Sequence, residues 1–418
     1  MEQVIFGGNY NLLHNTDTEY NSLVGGRSWN ATENIMHKMV STDGVIKNLR
    51  VRLNASPGGT DKYTFTLMLN GAPTALTLDI IGAATTGSDM VNEITVTGGD
   101  YVCLRCVPTD TPTARYATWT SVFEGDTANE SLILGGSASN LTTTVTEYGQ
   151  VMGANTLYSG VENDFRQIVP TAGTIKDLYV KLTQDPGDTG VDGYKFTLRR
   201  NGLSQTLTVT IMADNTTGND VVNSFAVVAG QTLTMMVEEI GSCAIGAKAA
   251  WGMTFVSTID GESIVLGGST DGLDNALTEY HYLTSSESEL WTINEPTQSQ
   301  LGQVCTLKKL YITLTAAPGA GNTYTFTIRI AGADSNVVTI LTGAAAGGNS
   351  GALEDTVAND EYVNLKVVPD DTPNAADAYW GFVVFRQLGW SGKISGVTDP
   401  QEVMGVAKAD IAEVKGVA

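Results

Sequence analysis

The sequence predicts an all-β protein: three tandem jelly-roll-like β-sandwich domains and an extended C-terminal arm. Three observations predict it. One stretch recurs three times: IKNLRVRLNASPGGTDKYTFTLMLNG from Ile46, IKDLYVKLTQDPGDTGVDGYKFTLRRNG from Ile175 and LKKLYITLTAAPGAGNTYTFTIRIAG from Leu307. Within it the side chains alternate. Leu49, Val51 and Leu53 are interleaved with Arg50 and Arg52, and Tyr63, Phe65 and Leu67 with Thr64 and Thr66, the period of half-buried strands. A Pro-Gly turn between the two runs reads as the bend of a hairpin. Finally, a chain of 418 residues with 46 glycines and 16% charged residues suits tight turns and compact cores, and a repeat of about 130 residues divides it into three. The expected boundaries are 1–126, 127–260, 261–389 and an arm at 390–418.

Each copy opens with an apolar strand ending in Gly-Gly: VIFGG at Val4, LILGG at Leu132 and IVLGG at Ile264. From the second glycine to the tyrosine of a TEY triplet is 12 residues each time (Gly8 to Tyr20, Gly136 to Tyr148, Gly268 to Tyr280), so the intervening loop is one object used three times. Glu19, Glu147 and Glu279 therefore occupy equivalent places. Either they bind something together with the tyrosines, or each tyrosine packs on the sandwich with its hydroxyl tied to a loop. The segments that follow diverge, and variable loops on a repeated scaffold are where partners touch. Trp29 and Trp291 lie there as candidate exposed anchors, with partly buried packing, the commoner place of a lone tryptophan, as the competing reading.

Asn70-Gly71, Asn201-Gly202 and Ala331-Gly332 then mark two-residue turns, because such hairpins need positive φ. Further strands close each copy, about eight in all, ending on Trp119, Trp251 and Trp380, which read as core plugs. Eight hairpin-linked strands make two packed sheets, and a jelly roll or a related β-sandwich is the natural closure. In the last 30 residues the phrases ISGV, VMGV and VKGV have no counterpart in the earlier copies. Val397, Val406, Val414 and Val417 would serve an arm that adds to a neighbouring subunit, with a disordered or locally packed tail as the competing reading.

A net charge of −22, from 45 acidic and 23 basic residues, argues against nucleic acid as a partner. No apolar run reaches 18 residues, so no membrane insertion is expected, and the N-terminus has neither the basic nor the apolar region of a signal peptide. Cys103, Cys106, Cys243 and Cys305 are non-equivalent between copies and are expected as free thiols. Cys103 and Cys106 form a CxxC, but residues three apart on a strand point to opposite faces, and neither a second CxxC nor a histidine partner accompanies them. His14, His37 and His281 fall in no metal-binding or triad spacing, and GxSxG, P-loop and Rossmann fingerprints are missing, so no catalytic residue or organic cofactor is expected; a carboxylate pair of the glycosidase kind among the 45 acidic residues stays open. The candidate metal ligands are Asp185, Asp188 and Asp192 in DPGDTGVDG, whose oxygens suit Ca²⁺; an ordinary Asp-Gly turn is the competing reading.

The pattern IKxLxVxL…PG…YTFTLxxNG…TGxD…VVPxDTP…W with the valine-glycine tail resembles structural proteins of tailed bacteriophages and environmental viruses. Copy 2 departs from it where VPTDTP and VPDDTP become VEEIGSC. The resemblance implies a non-enzymatic virion component (tail, fibre or capsid surface), made in the host cytoplasm, whose partners are its own copies in an oligomer or filament and other virion proteins. A glycan-binding or adhesion protein with lectin-like modules, recognising a host-surface glycan, is the alternative.

Overall fold

The structure is a computed structural model. It describes the chain apart from residues 10, 27, 138, 154–157, 188–189, 244–245, 287–288, 387–392, 395–396, 399–401, 404–405 and 408–418, and beyond Arg386 it describes only backbone pairing. Val414, Val417 and Asp188 lie outside the described residues. The described chain is all-β, with antiparallel sheets and three four-residue 3-10 turns at Glu33–Met36, Glu162–Phe165 and Glu295–Gln298.

In the first repeat the strands are β1 Glu2–Asn9, β2 Glu19–Asn21, β3 Lys38–Met39, β4 Gly44–Leu53, β5 Lys62–Leu69, β6 Ala72–Ile81, β7 Thr86–Val96, β8 Tyr101–Thr109 and β9 Ala117–Gly125. One sheet runs β1-β9-β4-β7. The other runs β2-β8-β5-β6, with β3 also on β8. The same two orders recur in the second repeat, between Glu130 and Ser257, and in the third, between Glu262 and Phe385, where the counterpart of β7 is split into Gly347–Asn349 and Glu354–Val357.

The recurring stretch is therefore not a hairpin. β4 and β5 belong to different sheets, and the Pro-Gly segment carries the chain from one to the other. Alternation says only that each strand buries one face, and facing sheets satisfy that as well as a hairpin does. The true hairpin is β5–β6, where Asn70 and Gly71 have φ of 52° and 78°, the left-handed pair a two-residue turn requires; Ala331 and Gly332 repeat it at 51° and 77°.

Trp119, Trp251 and Trp380 are fully buried, and each indole N–H donates to a backbone carbonyl, of Leu23 (3.1 Å), Val151 (2.8 Å) and Leu283 (2.8 Å). Opposite each, in register, is the first glycine of a Gly-Gly pair: Gly7, Gly135 and Gly267. A Cβ at Gly135 would lie 2.0 Å from the Trp251 Nε1, so the indole occupies the space a side chain would take. Trp29 and Trp291 are not exposed anchors. They are buried against these tryptophans, with ring centroids 5.3 Å and 5.6 Å apart.

The opening strands are buried throughout, over residues 2–8 in repeat 1 and along the whole of Glu130–Gly136 and Glu262–Ser269. One face of each packs on its own repeat and the other meets its counterparts, where Val4 and Phe6 face Leu132, Leu134, Met152 and Val265. Burial on both faces explains why VIFGG, LILGG and IVLGG are continuous apolar runs.

The repeats close a ring. The short strand β3 packs on the first and last strands of repeat 2, Gln167–Ile168 on those of repeat 3, and Gln300–Leu301 on β1 and β9. The approach is close: a Cβ at Gly252 would lie 1.9 Å from the Met39 carbonyl oxygen, and one at Gly381 1.9 Å from that of Ile168.

In the tail, Lys393–Ile394 pairs with Val397–Thr398, and Glu402–Val403 with Val406–Ala407. Val397 and Val406 thus each lie in a short antiparallel pair.

Candidate functional site

The features that recur with chemistry attached lie along the three seams of the ring. Glu2, Glu130 and Glu262 open the first strand of each repeat, and each takes a lysine of its own repeat: Lys47 at 2.9 Å, Lys176 at 2.7 Å and Lys308 at 3.0 Å. Each also takes a group from the preceding repeat. Arg386 reaches Glu2 at 2.6 Å, the Thr42 hydroxyl donates to Glu130, and the Thr171 hydroxyl donates to Glu262 at 2.7 Å. The seam between repeats 3 and 1 adds the Arg50–Asp360 ion pair at 2.7 Å, and Arg52 stacks over the Tyr362 ring at 4.3 Å.

Glu262 is almost wholly buried and is further held by Lys309 at 2.7 Å. Burial alone would raise its pKa, but Lys309, Thr171 and Lys308 outweigh it and the carboxyl lies below its ordinary 4.5. A lowered folded pKa stabilises the fold above the unfolded value and loses that contribution as pH falls through the folded one. Thermal melts should therefore show an acid-side loss below about pH 4.5 that is blunted in Glu262→Gln, with the variant less stable by about 2 kcal/mol at neutral pH. Equal acid dependence in both proteins would contradict this account.

A second set sits under the 3-10 turns. Glu162 is clamped by Arg199 (Nε–Oε1 2.9 Å, Nη2–Oε2 3.0 Å), and Glu295 by Arg329 (2.7 Å and 3.1 Å), with Asn364 also donating to Glu295 at 3.2 Å. These bidentate pairs pin each turn to its sheet. In repeat 1 the equivalent carboxylate is Glu33, but Met68 stands where Arg199 and Arg329 stand, since Met68 pairs Cys103 in the register in which Arg199 pairs Thr234 and Arg329 pairs Asn364. His37 occupies the place of Arg166 and Ser299. As a result Glu33 Oε1 lies 3.4 Å from His37 Nε2 and 4.0 Å from Cys103 Sγ, and the three ligand atoms lie within 4.8 Å of one another.

Burial, followed by Lys181 and Lys38, pushes the His37 pKa down to about 3, so the imidazole is neutral. Burial raises Cys103 strongly and also raises Glu33, although Arg105 opposes the latter. Tyr101 lies against the imidazole, ring centroids 4.2 Å apart. Sequence spacing could not find this group: Cys103 needed a histidine partner, and the fold brings one from 66 positions away. The available signal was the replacement of an arginine by Met68 in one copy of three. Cys106, on the other face of β8, packs in the core, and all four cysteines are buried and unpaired.

Asp192 accepts a hydrogen bond from the Ser242 N–H at 3.0 Å, tying its turn to the next loop, and Asp185 is half-buried. Among the described residues Asp185 and Asp192 join no group of three metal-ligating side chains. In the TEY loops it is the glutamate that ties the loop down. Glu19 accepts from the His14 N–H (2.7 Å), Glu147 from Thr142 (2.8 Å) and Glu279 from Asp274 (2.8 Å). Tyr148 and Tyr280 face the guanidinium groups of Arg199 and Arg329.

No helix among the described residues is long and apolar enough to cross a membrane. The chain matches no protein-family model, and no curated protein is similar to it.

Proposed function

We propose that this chain is a non-enzymatic virion structural protein, a tail, fibre or capsid-surface component, built of three jelly-roll β-sandwich domains with boundaries near 126 and 260 and a C-terminal arm. With β3 counted alongside β2, the sheets of each repeat run 1-8-3-6 and 2-7-4-5, the order made by two Greek keys. The observation that carries the reading is the ring itself, in which three copies of one module meet through repeated seams; that is how assembly proteins enclose an axis. The outermost strands leave apolar side chains bare, Val91 90% and Val222 88% exposed, which suits contact with further copies or with other virion proteins. In sedimentation and electron microscopy the protein should form a regular oligomer or filament. A monomer at every concentration would refute self-assembly.

The tail strengthens that contact. A chain ending at Gly389 keeps Arg386 and every seam, so it should fold and melt as the full chain does yet assemble less; unaltered assembly of the truncation would remove the arm from the account.

One observation favours the glycan-binding reading. The groove between repeats 1 and 3, about 210 Å³, is lined by Tyr116, Tyr362, Arg52, Asn54 and Asn294, an aromatic and amide set suited to a sugar. Binding on a glycan array that is lost in Tyr116→Ala would support it.

A further inference from the structure

We propose that Glu33, His37 and Cys103 form a divalent-metal site of the zinc class at the seam between repeats 1 and 2. The argument starts from the other repeats, where the matching glutamate is neutralised by an arginine held in bidentate contact. Repeat 1 keeps the glutamate but places Met68 where the clamping arginine stands and carries its cation on Arg105, where repeat 2 has Met236; Arg105 acts on Glu33 without the bidentate contact. Met68 supplies no charge, and the two neighbouring positions become imidazole and thiol, which are ligands for a borderline-soft cation. A metal ion takes the place of the bidentate contact that the arginine makes in the other repeats.

The geometry fits. Donor atoms around a tetrahedral zinc lie about 3.3 to 3.8 Å apart, given bonds of about 2.0 to 2.3 Å. Here two separations are 3.4 Å and 4.0 Å, and the set spans no more than 4.8 Å, so small side-chain shifts complete it. His37 is buried and neutral, its ring lies against Tyr101, and its Nε2 is the nitrogen that faces Glu33. Glu33 is the more exposed member and gives the ion its entry, leaving a fourth position for water.

When the sulfur–metal bond forms, the thiol proton passes to solvent, so a 2+ ion meets one carboxylate, one thiolate and one neutral imidazole, a set of zero net charge. That neutrality matters because Arg105, Lys38 and Lys181 all act on this group. A net-positive site would be repelled by them.

Cobalt(II) is the probe. Titrated into the full chain, one equivalent should produce the near-ultraviolet thiolate-to-cobalt band, and zinc should displace it. Cys103→Ser should abolish the band, and His37→Ala should weaken binding by at least about 100-fold. The sharper variant is Met68→Arg, which installs the residue of the other two repeats. It should fold, clamp Glu33 and exclude cobalt, whereas Cys305→Ser, remote from the site, should bind as the wild type does. Absence of the band in the wild type, or its survival in Cys103→Ser or Met68→Arg, overturns the proposal. If Met68→Arg does not fold, Cys103→Ser decides alone.

Discussion

Replacing Trp251 by Ala should lower stability by about 3 to 5 kcal/mol, the usual cost of emptying a buried aromatic site. The indole is fully buried, it satisfies the Val151 carbonyl at 2.8 Å, and it lies over Gly135, which offers no side chain to fill the gap. A neighbouring carbonyl would also be left without its donor. Denaturant unfolding is the direct measurement, and a midpoint equal to that of the wild type would contradict the packing described. The complementary change, Gly135→Ala, approaches the same contact from the other strand and should also destabilise.

The second large effect belongs to the ring rather than to any one repeat. Gly252→Val puts a branched side chain where the Met39 carbonyl oxygen already lies, 1.9 Å from the first atom added. The obstacle is backbone, so repeats 1 and 2 must separate locally, at a cost of about 3 kcal/mol. The expected signature differs from that of the tryptophan variant. Strand content by circular dichroism should persist while the seam becomes open to protease and scattering shows a less compact particle. Retained compactness with normal protease resistance would mean that the seam tolerates the side chain. Position 120, the equivalent in repeat 1, is Thr, whose Oγ1 lies 3.4 Å from Gln303 Nε2, so that seam is already built for a side chain.

The strand class was legible because alternation is a direct consequence of one-sided burial, and the spacing from Gly-Gly to TEY identified a loop that proves to be closed the same way three times. Two things were not legible. Alternating runs on either side of a Pro-Gly turn look the same whether the chain folds back within a sheet or crosses to the facing one, so β4 and β5 read as a hairpin. The tertiary role of Trp29 was also hidden. A lone tryptophan in a divergent loop reads either as an anchor or as packing, and only the contact with Trp119 decides for the core. As for the site, Glu33, His37, Met68 and Cys103 come from a turn, its end and two strands. Their meaning appears only when the register of β5 on β8 is compared across the three copies.

Carrying the three repeats on one polypeptide changes what the ring's stability depends on. Three separate modules would associate according to concentration and fall apart on dilution, whereas tethered neighbours meet at an effective concentration in the millimolar range however few molecules are present. The seams can then be individually weak and individually different. One is furnished with threonine on a buried carboxylate, another with arginine on aspartate and tyrosine, and the seam beside Glu33 has shed a clamp that its sisters keep. Fusion has thereby released each junction from the requirement of matching the others. The ring therefore presents three distinguishable repeats where a true trimer would present three identical ones.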